Sequence, residues 1–281
     1  MSKSILLIGG SGFLGSALRR VFREDDRYEV FFSSTHDDVS DPHHRTIDIF
    51  RPDDLRQVLD FDIIVNLTGQ FVQPLSRCFA LNTSGMWNLI EAIRDGSQTL
   101  IQISTTLVYG TVEKATEDLP LDPEFPYAAG KAAAEFLLKK SLPERRYLVA
   151  RLSNLYGAGQ TKGLLWYLVD RIRSKRDIVI TDNDGFLRRH FLHVDDAAQL
   201  LHDVIARCAT GTVNVPGPEA YTIRELVALS ERILGRPLFA TYATTPPRGN
   251  IDVISAEKLQ SLVPVHYHHS VEEYLRENLV P

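Results

Sequence analysis

Residues 4–15 read SILLIGGSGFLG, a short apolar run that gives way to glycines at positions 9, 10, 12 and 15. A run this short and uniformly apolar reads as a strand buried on both faces, as in a parallel sheet. Helical spacing of apolar residues follows from Gly12 to Phe22. Strand, glycine turn and helix in that order make a phosphate cradle. The glycines permit a tight turn, let a pyrophosphate approach the helix N-terminus, and let helix and strand pack closely. Gly9, Gly12, Phe13, Leu14 and Gly15 are therefore candidate cofactor contacts.

Working outward, apolar runs at Ser4–Ile8, Glu29–Phe32, Ile63–Leu67, Thr99–Ile103, Tyr147–Arg151 and Gly211–Val215 alternate with helical patterns. The helices fall near Gly12–Phe22, Asp53–Leu59, Cys78–Arg94 and Tyr127–Lys140. This alternation predicts an α/β fold, a Rossmann-type doubly wound parallel sheet, with a smaller C-terminal α/β lobe. Residues 1–160 form the dinucleotide-binding domain, to which the chain returns near 187–215. Residues 161–281 belong mainly to the second, discontinuous lobe, with helices near Leu164–Arg173, Ile223–Leu234 and a Ser-capped one at Ser270–Asn278.

Composition narrows the function. Hydrophobic residues make up 44% of the 281, enough for a packed core. Acidic residues outnumber basic ones, 36 to 31, which argues against nucleic acid as the partner. No run is long and apolar enough for a signal segment or a membrane span, and two separated cysteines, Cys78 and Cys208, suit a reducing compartment. A cytoplasmic protein is expected.

A Tyr-x-x-x-Lys pair, Tyr127 and Lys131, opens a helix just after Pro126. Four residues apart, the two share a helix face. The lysine can hold a cofactor ribose and, as a nearby cation, lower the tyrosine's pKa for proton exchange. Such a pair is also readable as an ordinary surface Tyr/Lys couple. Order favours the catalytic reading, because the glycine loop, the polar strand end Ser104-Thr105-Thr106 and this helix would meet at the carboxyl edge of the sheet.

These motifs together resemble the extended short-chain dehydrogenase/reductases, the NAD-dependent epimerase/dehydratase family, over nearly the whole chain. The resemblance implies adenine contacts from Asp48 and Ile49, and a fourth strand (DIIVNLTG) bringing Leu67 and Thr68 past the nicotinamide ribose. It implies a bracing Asn82 and a catalytic trio of Thr105, Tyr127 and Lys131. Thr106, Asn154 in RLSNLYGAG, Arg189 and Arg248 become expected substrate contacts, the arginines approaching a nucleotide-sugar diphosphate. Arg188 and Arg189 are equally readable as a solvated loop pair. A homodimer through a helix pair including Tyr127–Lys140 is implied as well, although Ala132, Ala133 and Ala134 fit packing within one subunit.

The implied reaction is reduction of a keto group, on a nucleotide-linked (deoxy)sugar, with Tyr127 as proton donor, Thr105 orienting the oxygen and Lys131 tuning Tyr127. Dehydratases of the family carry an Asp-Glu pair after the threonine. Here Thr106 and Leu107 stand there, and leucine carries no proton. The second strand ends at Ser33 and Ser34 without the carboxylate expected of an NAD-preferring member, which favours NADP(H) over NAD(H). Ser33, Ser34 and His36 offer donors to a 2′-phosphate, while Asp37 or Asp38 could reach back. The alternatives are a nucleotide-sugar epimerase with tightly bound NAD and a non-catalytic cofactor-sensing protein, the latter disfavoured by the Tyr/Lys pair. His266, His268 and His269 read as a solvated loop, not a metal site, and Asp195 and Asp196 as the acidic first turn of a helix.

Overall fold

A computed structural model describes residues 2–36, 38, 40–69, 74–181, 183–246 and 248–280. The first half of the chain runs β1 (Lys3–Ile8), α1 (Phe13–Arg23), β2 (Tyr28–Ser34), β3 (His44–Thr46) and a short α2 (Pro52–Leu55). It continues through β4 (Ile63–Asn66), α3 (Leu75–Ala80), a π turn at Leu81–Gly85, α4 (Met86–Ile93), β5 (Thr99–Thr105), β6 (Val112–Ala115), α5 (Pro126–Ser141) and β7 (Tyr147–Leu152). The second half comprises β8 (Asn154–Tyr156), α6 (Leu164–Arg173), β9 (Ile178–Ile180), β10 (Arg188–His193), α7 (Val194–Ala206) and β11 (Gly211–Val215). The chain ends with β12 (Glu219–Thr222), α8 (Ile223–Leu234), β13 (Ala240–Tyr242), β14 (Ile251–Ile254), α9 (Glu257–Leu262) and α10 (Val271–Leu279).

Seven parallel strands form the central sheet in the order β11-β7-β5-β4-β1-β2-β3. Strand order reverses between β1 and β4, which opens the crevice where ligands bind in such sheets. Both faces are covered, which explains the unbroken apolar run of β1. Ile5 and Leu7 pack with α1 and α7, Leu6 and Ile8 with α4 and α5.

The second lobe is built on a three-stranded sheet, β12-β10-β8, and a two-stranded one, β13-β9, around an apolar cluster that includes Leu168, Phe191, Leu226 and Leu275. Leu192, within β10, already packs in the core of the large sheet. β10 pairs with β8 and β12, whereas α7, β11 and α9 pack in the large sheet and its core. The helix expected over Cys78–Arg94 begins earlier, at Leu75, and is interrupted by the π turn. Ser270 caps α10 in a capping box with Glu273.

Of the C-terminal histidines, His266 and His268 are exposed, and His269 departs from a solvated loop. Asp196, in the first turn of α7 and 2% exposed, accepts hydrogen bonds from the His268 backbone N–H and from His269 Nδ1. The His269 ring stacks on His193 with centroids 3.8 Å apart and planes at 16°. Asp196 thus anchors the chain entering α10 as well as favouring the helix dipole. His193, Asp195 and His269 place donor atoms within 4.8 Å of one another. Stacked rings hold their lone pairs in nearly parallel planes, so the imidazoles do not converge on one point.

Close packing of α1 on β1 rests on Gly15, where an added Cβ would stand 2.6 Å from the Gly10 backbone. At Gly12 the same atom would meet only Gly9 O, at 3.3 Å. Gly15→Ala is expected to destabilise the fold by about 1–3 kcal/mol, the usual range for overpacking. Thermal unfolding should show a clear fall in Tm for Gly15→Ala and a much smaller one for Gly12→Ala. Equal midpoints would contradict the packing account.

Candidate active site

α1 has Gly12 as its N-cap, with no side chain bonded to its first-turn N–H groups. A cavity of about 760 Å³ opens there, lined by Gly9, Gly12, Phe13, Leu14 and Gly15 on one side and by Leu67, Thr105 and Tyr127 on the other. Asn154 and Arg189 line it towards the second lobe. An uncapped helix end above a glycine turn has the donor set a dinucleotide pyrophosphate requires, so the residues fit such a cofactor.

Lys131 lies beneath this wall. It is fully buried, and its ammonium donates to Thr68 O and Ile103 O, each at 2.9 Å. Burial lowers its pKa to about 7, against the opposing pull of Cys78 and Glu135. Thr68 is fixed in turn by Asn66, whose side-chain oxygen accepts both the Thr68 N–H and its hydroxyl. Asn82, in the π turn, donates to Gly69 O and Cys78 O. Gly69 has φ +70°, and a Cβ there would collide with the Asn82 amide, so glycine is needed at this bend.

Tyr127 shows the opposite of the expected tuning. Burial, with a further contribution from Cys78, raises its pKa above the ordinary phenol value, so the hydroxyl is held protonated. Desolvation outweighs any help from Lys131, which directs two donors at main-chain carbonyls.

Several expected contacts lie elsewhere. Ser33 is fully buried, because side chains alternate along β2, and its hydroxyl has no partner among the described residues, so it offers no surface to a cofactor. Ser34 lies on the other face, its hydroxyl bonded to His36 O and to His44 Nε2. Asp37 lies outside the described residues. Thr106 is 4% exposed and is not part of the cavity wall, whereas Leu107, one residue on, is. The 3-10 turn Thr106–Tyr109 rotates the chain and exchanges their places. Asp48 and Ile49 sit beyond the cavity, Asp48 accepting from the Phe50 N–H and Ile49 packed beneath Gly85. Arg189 donates to Gly249 O and Arg248 O, so it braces the loop that carries the exposed Arg248.

Glu135, Phe125 and the stretch Gln160–Gly163 escaped the sequence reading, although Phe125 and Gln160–Gly163 line the cavity. Glu135 had a signal, standing one more helical turn beyond Tyr127 and Lys131. It is fully buried and accepts from Ser104 Oγ at 2.6 Å and from Arg151 Nη2 at 2.6 Å. Burial would raise its pKa, but Arg151 prevails and holds the carboxyl below its ordinary value.

Fold and site together define an enzyme of the extended short-chain dehydrogenase/reductase class. Within that class the chain belongs to the NAD dependent epimerase/dehydratase family, whose model matches residues 5–223. It is 27% identical over 240 residues to GDP-6-deoxy-D-talose 4-dehydrogenase of Aggregatibacter actinomycetemcomitans, covering 80% of this chain and 78% of that one. The fold matches dTDP-glucose 4,6-dehydratase of Bacillus anthracis str. Ames, solved with NAD, at TM-score 0.84 and 24% identity over 99% of this chain and 96% of that one. It also matches UDP-glucuronic acid 4-epimerase of Bacillus cereus, solved with UDP-glucuronic acid and NAD, at TM-score 0.84 and 20% identity over 98% of both. Among the described residues no helix is long and apolar enough to cross a membrane.

Lys131 makes a pH prediction. The unfolded chain keeps this proton up to its ordinary pKa of 10.5, while the folded protein releases it near 7. Between those values the unfolded state binds more protons, so stability rises with pH. The stability of the cofactor-free wild type relative to Lys131→Met is expected to increase from pH 7 towards pH 10, by up to about 1.4 kcal/mol per pH unit. Denaturant titrations across that range check it, and a flat or falling difference would contradict it.

Proposed function

We propose that the protein reduces a keto group on a nucleotide-linked sugar, with Tyr127 giving its proton to the carbonyl oxygen and Thr105 orienting that oxygen. A bound nicotinamide supplies the hydride. The observation that supports this reading is the composition of the cavity wall, which includes Tyr127 and Thr105 together with the glycine cradle and no carboxylate among the described residues. Loss of water from a sugar needs an acid and a base besides the phenol, and Leu107 stands where one would act. Arg189 and the Arg248 loop supply cationic side chains at the far end for a diphosphate. The relative named as a nucleotide-sugar 4-dehydrogenase supports the same substrate class.

NADPH is the proposed cofactor, on the absence of a carboxylate at Ser34 and the nearness of the His44 ring to its hydroxyl. The second reading is an epimerase holding NAD through a redox cycle, favoured by the NAD complexes of the structural relatives. We also propose a homodimer. Phe79, Trp87 and Phe136 stand exposed on α3, α4 and α5, helices that pack together, and exposed large apolar side chains of this kind support an interface with a second copy.

Tyr127→Phe removes the proton donor and is expected to lower kcat roughly 100-fold or more while leaving cofactor affinity intact. Steady-state kinetics on a panel of nucleotide-linked keto-sugars, with cofactor titrations alongside, test this. Turnover close to wild type would defeat the assignment.

Cofactor choice separates the two readings. Wild type is expected to bind NADPH at least as tightly as NADH. Ser34→Asp should move the preference towards NADH by about 1–2 kcal/mol, through repulsion of a 2′-phosphate and a new acceptor for ribose hydroxyls. Paired titrations at one ionic strength measure it. Tighter NADH binding by the wild type, or NAD retained through purification, would promote the epimerase.

A further inference from the structure

Thr105 closes β5 and lines the cavity, and the chain on both sides of it is tied to one buried ion pair. Ser104 and Arg151 are register partners across β5 and β7. Glu135 reaches them from α5, its carboxylate accepting from Ser104 Oγ at 2.6 Å and from Arg151 Nη2 at 2.6 Å. Beyond Thr105 the chain makes the 3-10 turn Thr106–Tyr109. There Tyr109 Oη accepts from Arg151 Nη1 at 2.7 Å and donates to Asn214 Oδ1 at 2.7 Å. Glu135, Arg151, Tyr109 and Asn214 are each no more than 1% exposed, so water does not compete for these bonds. A single charge pair thus fixes residues 104 and 109, the two ends of the short span that carries Thr105.

That span sets the polarity of the Thr105 hydroxyl. A threonine hydroxyl has one proton to donate and two lone pairs to accept with. The Leu107 N–H donates to Thr105 Oγ1 at 3.3 Å, and among the described residues Thr105 Oγ1 donates to none. Its proton is therefore left for a ligand. Ser104 is committed differently: Arg151 keeps the Glu135 carboxyl ionised, an ionised carboxyl only accepts, and the Ser104 proton is spent on it. Were the 3-10 turn to slip, the Leu107 N–H would leave Oγ1 and the Thr105 hydroxyl would be free to rotate. Resting on the reduction proposed above, we propose that Glu135 and Arg151 form a positioning pair for Thr105, acting through Ser104 on one side and Tyr109 on the other, so that Thr105 meets the reacting oxygen as a donor.

The test is a pair of double-mutant cycles in the cofactor-loaded enzyme, with kcat measured on a nucleotide-linked keto-sugar well below the Tm of each variant. Tyr109→Phe and Ser104→Ala each release one side of Thr105 and leave the ion pair in place, and either folded variant suffices. Each is expected to lower kcat roughly 10-fold, the scale of a small misplacement of a reacting group, with cofactor affinity unchanged. Thr105→Val alone should lower kcat roughly 100-fold by removing one donor to the reacting oxygen. On the Thr105→Val background the flanking substitutions should then cost less than about twofold, because the hydroxyl they position is gone. A fall in Tm without a fall in kcat, or flanking losses that persist in full on the Thr105→Val background, overturns the positioning pair while leaving the reduction intact. No turnover of any nucleotide-linked keto-sugar by the wild type overturns both.

Discussion

The buried carboxylate of Glu135 holds α5, the helix that carries Tyr127 and Lys131, in register. A charge without exposed surface persists only where its lone pairs are matched, and here Arg151, Ser104 and Lys139 match them. Arg151 donates onward to Tyr109 Oη, which donates to Asn214 Oδ1, while the Asn214 N–H donates to Glu117. One network therefore ties α5 to β5, β7 and β11. Removing a single partner from such a pair generally costs about 3–5 kcal/mol, because the other charge is stranded. Since Tyr127, Lys131 and Glu135 lie one helical turn apart in succession, fixing Glu135 against Ser104 also aims Tyr127 and Lys131 at the end of β5.

The same dryness sets the chemistry. Burial raises the pKa of Tyr127 and lowers that of Lys131 to about 7. Placing a pyrophosphate at the uncapped end of α1 would add negative charge nearby and favour the charged lysine. Acid–base readiness and cofactor occupancy are thus physically linked through one desolvated lysine.

Much of this was legible in the sequence because it is periodic or local. The glycine turn, the doubly buried strands and the four-residue step from Tyr127 to Lys131 all leave short-range patterns. Glu135 was legible by the same step taken once more. What escaped depended on single-residue rotation or on distant pairing. Ser33 and Ser34 differ only in which face of β2 they occupy, and Thr106 and Leu107 in how a 3-10 turn follows β5. The docking of His269 on His193 and Asp196 joins segments more than seventy residues apart, and no spacing in the chain announces it.

Arg189 joins anchoring to chemistry. Rather than standing free beside a diphosphate, it holds the Arg248–Gly249 loop by two carbonyls, and Glu124 holds the same loop by the Gly249 N–H. Glu124 lies three residues before Tyr127, and Phe125 and Pro126 occupy the first positions leading into α5. A substrate diphosphate engaging Arg248 would therefore pull on a loop clasped to the segment that sets the position of Tyr127, the proposed proton donor. Small displacements of a reacting group change rates steeply. On the proposed function, binding energy at the far end of the substrate thus has a short covalent and hydrogen-bonded route towards Tyr127.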